Sequence, residues 1–176
     1  HEGSGWEAAA ALDPDYRVRW IDVASFYLQR KQLAPCLQWL KRILSPDDDP
    51  ATLLAGRYIA GLAAFRCATM ERAAQEWEAG LALAEGLSDS AMLRHLSEMQ
   101  GRALFALGRL PEAAARFRRA IGLDGEDAGL WRQLARCLTG AEAADCYRTS
   151  LRLGPGLWAS VQAREELIAL ERTQPL

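Results

Sequence analysis

A short pattern returns four times along the chain and constrains what it can fold into. Trp20-x-x-Val23-Ala24-x-x-Tyr27 precedes Cys36-x-x-x-Leu40, and Gly61-x-x-Ala64 precedes Ala73-x-x-x-Trp77. Gly101-x-x-Leu104 precedes Ala113-x-x-x-Phe117, and Trp131-x-x-Leu134-Ala135-x-x-Leu138 precedes Ala143-x-x-x-Tyr147. The small residues Ala24, Gly61, Gly101 and Ala135 lie 37, 40 and 34 residues apart. Residues four apart share a helix face. Each of Ala73, Ala113 and Ala143 therefore stands one turn before a large ring, a socket beside a knob. One helix pair cannot bury such a stripe alone, whereas stacked pairs share a core. Helix formers dominate and period-2 alternation is absent, so no strand is expected.

On these residues the chain resembles the tetratricopeptide repeat (TPR) family, built from helix–turn–helix units of about 34 residues. The resemblance implies an all-α, right-handed solenoid of antiparallel helix pairs with a C-terminal capping helix. A single domain over 1–176 is expected: a half repeat or cap at 1–16, repeats at 17–50, 51–90 and 91–127, a compressed repeat at 128–155, and a capping helix and tail at 156–176. In the third unit Gly108 reads as a helix stop and Pro111 as a first-turn residue. The fourth unit is compressed, with five residues from Leu138 to Ala143 where the third uses nine from Leu104 to Ala113. A tighter turn or a shorter helix must absorb the difference. Asp49 and Pro50 read as N-cap and first helical residue after the acidic loop that begins at Ser45.

The chain ends carry the pattern further. Trp6, Ala9 and Pro14 repeat the spacing of Phe117, Ala120 and Gly125. Residues 1–16 thus read as the second half of an earlier repeat, and with His1 in place of Met the chain reads as a fragment or a processed product. The plainer alternative is an appended His1-Glu-Gly-Ser-Gly leader before a simple cap. Near the other end Trp158, Val161 and Ile168 form one apolar stripe beside Glu165, Glu166, Glu171 and Arg172, the composition of a cap with one polar face.

Composition bounds the function. A formal net charge of −2 gives no general pull toward nucleic acid. No apolar run approaches the roughly 18 residues needed to span a bilayer. The sequence has no Asn, which excludes N-glycosylation. Cys36, Cys67, Cys137 and Cys146 form no C-x-x-C pair, so zinc and thioredoxin-like chemistry find no support. A Cys137–Cys146 disulfide stays open beside the plainer reading of reduced structural thiols, which favours a cytoplasmic location. His95 is the one internal histidine and has no partner for a metal pair or a Cys–His dyad. Glu76 and Glu78, and Glu165 and Glu166, point in different directions on a helix. Gly154-Pro155-Gly156 lacks the strand and Lys of a phosphate loop. We expect no enzyme, no catalytic residue, no cofactor and no metal.

The expected activity is protein binding. The resemblance implies that first helices line a concave groove with one face free for a ligand. Tyr58, Leu62 and Phe65 fall on that face in the second unit, His95, Glu98, Arg102 and Phe105 in the third, and Arg132 and Arg136 in the fourth. Apolar anchors of a peptide or helix would meet the former residues, and an acidic segment the arginines. The alternative for these arginines is simple solvation. The Lys and Asn carboxylate clamp of the family's co-chaperones is not matched, since Ile21, Ser25, Ile59, His95 and Met99 hold the corresponding places. The leading reading is a scaffold or adaptor. Its alternatives are an accessory or regulatory domain of a larger enzyme, and a self-assembling module forming a homo-oligomer.

Overall fold

The computed structural model describes Gly5, Ala8 and residues 17–44, 49–154, 156 and 158–173. The half repeat expected at 1–16 lies outside them, apart from helical Gly5 and Ala8, as does the acidic stretch 45–48. The described residues form nine helices and no strand: α1 (Arg17–Gln29), α2 (Leu33–Ile43), α3 (Pro50–Arg66), α4 (Met70–Gly86), α5 (Ser90–Ala106), α6 (Leu110–Leu123), α7 (Ala128–Ala135), α8 (Gly140–Leu153) and α9 (Trp158–Thr173). They fall into two compact units, His1–Asp89 and Ser90–Leu176. In the first, α1 pairs with α2 and α3 with α4, and α3 packs on both α1 and α2. In the second, α5 pairs with α6 and α7 with α8, α7 packs on α6, and α9 packs on α8 and α7.

The repeated small residue lets a ring sit on the backbone of the facing helix. Trp77 is fully buried, and a Cβ on Gly61 would lie 2.2 Å from its indole nitrogen. Phe117 is also fully buried, and a Cβ on Gly101 would lie 2.8 Å from its ring edge. The Trp77 indole N–H donates to the Tyr58 carbonyl at 3.3 Å, so the buried polar edge is satisfied. In the first unit Trp39 joins the core, edge-on to Trp20 with centroids 6.1 Å apart.

Four helix ends share one closure. Lys31, Ala68, Ser88 and Gly108 all have positive φ, two residues past the ends of α1, α3, α4 and α5. Behind each, the next amide reaches back to a carbonyl of the last turn, as Thr69 does to Ala64 and Arg109 to Leu104, both at 3.0 Å. This is the Schellman closure, which favours glycine; only the third unit supplies one. Helix starts are capped by carboxylates at two places: Asp49 accepts from Ala51 and Thr52 ahead of Pro50, and Asp127 accepts from Gly129 and Leu130. Hydrogen bonds from Thr52 and Ala51 hold the Asp49 carboxyl below the usual carboxylate range.

The compressed repeat is resolved by a shorter helix. α7 has 8 residues where α3 and α5 have 17. It stops at Ala135, whereas α5 runs on past Gly101 to Ala106. The cap helix also differs from expectation in its rotation. Trp158, Val161 and Ile168 face solvent, at 73%, 44% and 42% exposure, while Ser160, Ala163 and Leu167 are buried. Small residues allow the close approach, and the Ser160 hydroxyl donates to the Ser150 carbonyl at 3.3 Å.

Two opposite glycine exchanges check these contacts. Gly61→Ala is expected to destabilise by about 1–3 kcal/mol, because overpacking against a rigid indole exceeds the roughly 1 kcal/mol gain in helix propensity. Ala68→Gly relieves a left-handed alanine and is expected to stabilise by about 0.5–1 kcal/mol. Urea unfolding followed by circular dichroism measures both, and a stabilised Gly61→Ala contradicts the ring-on-backbone contact.

Candidate functional site

A cleft of about 430 Å³ lies in the second unit, walled by α5, α7, α8, α9 and the turn after α7. Its apolar surface comes from Phe105, Leu138, Ala143 and Leu170, with the small Ala135 and Ala169 beside them. Arg136, Tyr147 and Glu166 supply its polar groups. The early stop of α7 shapes this space. Arg136 and Leu138 lie in the turn beyond α7 and just after it, at places where α5 is still helical.

The polar wall is a defined network. Arg132 donates to both oxygens of Glu166, at 3.0 and 2.6 Å, and its side chain is 15% exposed. Burial first, then the Glu166 charge and the hydrogen bond between the two, push the Tyr147 hydroxyl up to about 12, against an opposite pull from Arg136 and Arg132. Tyr147 is therefore a neutral phenol beside the Glu166 carboxylate. Arg136 stands 3.9 Å from Glu166, beyond hydrogen-bond reach. Its guanidinium stacks on Phe105, 4.5 Å from the ring centroid, and one nitrogen donates to Gln133 at 3.2 Å.

The residues singled out in the sequence take different places. Tyr58 and Leu62 are half-buried and pack against the core formed by α1, α2 and α3. The Phe65 ring packs on Trp77, with centroids 5.8 Å apart. His95 is half-buried on α5. Glu98 lies between Arg94 and Arg102, at 3.7 and 2.6 Å. Phe105 and Arg136 meet in the cleft, whereas Arg132 turns its donors onto Glu166 and Arg102 onto Glu98. Two of the three arginines expected to receive an external acid thus already hold an acid of the chain. Leu138, Tyr147, Glu166 and Leu170 are additions to the site. A signal for the Glu166 pairing existed in the sequence: it stands 34 residues after Arg132, as Arg132 stands 34 after Glu98.

None of the cysteines lines this cleft. All four are free thiols, and Cys36 and Cys146 are buried while Cys67 is exposed. Burial pushes Cys36 and Cys137 up to about 11. No group of His, Cys, Asp or Glu among the described residues could hold a metal ion.

A double-mutant cycle on Arg132 and Glu166 tests the network. Single changes to Ala are each expected to destabilise more than independent sites would, with a coupling of about 1–3 kcal/mol. Denaturant melts of the two single variants and the double variant measure it, and additive effects contradict a mutually dependent pair.

No family model matches the sequence, and no curated protein does. Solved structures do. BtubC (BKLC) from P. vanneervenii matches with a TM-score of 0.74 at 18% identity, over 97% of this chain and 79% of that one. MamA 41-end from Desulfovibrio magneticus RS-1 matches at 0.68 and 17% identity, over 92% of this chain and 98% of that one. A chain of the Cut9–Hcn1 hetero-tetramer of the APC/C matches at 0.70 and 16% identity, over 86% of this chain. This chain spans only 30% of that protein's length. At these identities the likeness shows the fold, an α-solenoid of antiparallel TPR-type helix pairs.

Proposed function

We propose that the chain is a non-catalytic protein-interaction module that recruits or scaffolds a partner through the cleft of its second unit. The cleft itself carries the reading: about 430 Å³ of apolar wall with a guanidinium at its edge, within the usual range of roughly 300–1,000 Å³ for ligand sites. Its one carboxylate, Glu166, is held by Arg132, which suits holding a ligand rather than transforming one. One similar structure is in line with this reading, since Cut9 is seen in a hetero-tetramer with Hcn1. A protein partner fits better than nucleic acid, given the net charge of −2. Among the described residues no helix is long and apolar enough to cross a membrane. We place the protein in the cytoplasm, where free thiols persist.

Self-association is the second reading, favoured by the solvent-facing Trp158, Val161 and Ile168 on α9.

Site-directed photocrosslinking tests both. A benzophenone amino acid replaces Ala169, an exposed residue of the cleft, or Glu112, an exposed residue of α6. In lysate of the native host, position 169 is expected to trap a discrete protein that position 112 does not. Equal trapping at both positions contradicts the cleft as the docking site, and an adduct with a second copy favours self-association.

A further inference from the structure

Resting on the reading of the cleft as a protein-docking site, we propose that it accepts an extended partner segment in which an aliphatic residue is followed, two positions on, by Asp or Glu. Three observations define that chemistry.

The walls of Phe105, Leu138, Ala143 and Leu170 reward the burial of a hydrocarbon side chain. None of these four offers a side-chain donor or acceptor, so a polar side chain would enter without compensation.

The edge of the cleft carries one positive charge in excess. Arg132 and Arg136 contribute two positive charges and Glu166 one negative. Both Glu166 oxygens are taken by Arg132, which leaves Arg136 with only a 3.9 Å approach to that carboxylate. The Arg136 guanidinium lies over the Phe105 ring, 4.5 Å from its centroid, and one nitrogen donates to Gln133 at 3.2 Å, which leaves its remaining N–H groups for a ligand. A planar fork of donors matches a carboxylate in bidentate fashion. One excess charge also matches one carboxylate better than a phosphate, which brings about −1.5 to −2.

Spacing supplies the third constraint. Side chains two apart on an extended segment lie on one face, about 6–7 Å from each other. A residue filling the apolar part of the cleft thus places the second next one at the Arg136 edge, where a lysine would meet like charge.

The test uses the isotope-labelled full chain and three synthetic probes: the peptide Ac-Ser-Leu-Gly-Glu-Ser-NH2, its Gln counterpart, and its phosphoserine counterpart at the same position. Chemical shifts are followed to millimolar peptide. The Glu peptide is expected to move amides of 135–138 and 166–170 together with the Arg136 side-chain signal. The Gln peptide is expected to bind at least 5-fold more weakly, and Arg136→Gln to abolish that difference. Equal binding of Glu and Gln peptides, shifts confined elsewhere, or no shift with any probe overturns the proposal, and markedly tighter phosphopeptide binding overturns it in favour of a phosphate. Partner trapping separates its failure from that of the docking reading. A partner lost with Ala169→Arg but undiminished with Arg136→Gln leaves the cleft as the docking site and removes the carboxylate, whereas a partner undiminished by both removes the cleft.

Discussion

The structure depends on an aromatic ring pressed onto the backbone of a facing helix. Trp77 over Gly61 and Phe117 over Gly101 are the two tightest cases, and both rings are shielded completely from solvent. A ring of that size brings a large hydrophobic gain, but only a residue without a Cβ lets it approach so far. The same contact fixes the register of α3 on α4 and of α5 on α6, because a shift by one residue would set a Cβ against the ring. Turn chemistry reinforces the register: α3 and α5 both end in the same left-handed closure before their partner helices begin.

Departure from that regularity makes the cleft. α7 starts under firm control, with Asp127 both capping the helix and pairing with Arg94 at 2.5 Å. It then stops at Ala135, and a turn follows in which the Leu138 amide donates to the Ala135 carbonyl at 3.1 Å. Leu138 and Arg136 become wall and edge of an open space rather than part of a helix–helix seam. Pairing between Arg132 and Glu166 ties α7 to α9 and keeps the cleft's polar side in place. The proposed docking cleft thus comes from a shortened copy of the unit that builds the core.

The ring and small-residue pattern was legible in the sequence because it is local and periodic: Ala73 and Trp77, or Ala113 and Phe117, identify a helix face without knowledge of its partner. The caps Asp49 and Asp127 are equally local, although only the former is heralded by a proline. Compression of the fourth unit could be read as a length, but not as a cleft, since that requires knowing what stands opposite Leu138. The pairing of the arginines was hidden for a related reason. Their shared face is visible in the spacing of Arg132 and Arg136, while the acid that occupies Arg132 comes from a helix 34 residues away. Rotation of α9 was hidden by hydrophobicity itself: Trp158, Val161 and Ile168 are the larger apolar residues, yet closeness to α8 selects the small Ser160 and Ala163.

The central claim is that a partner docks where the shortened α7 leaves space. Amide hydrogen exchange of the protein alone and with its trapped partner tests this most directly. The account predicts slowed exchange at residues 135–147 and 166–170 on binding, with α2, α4 and α6 unchanged. Protection of those second helices, with the cleft residues unaffected, would contradict it.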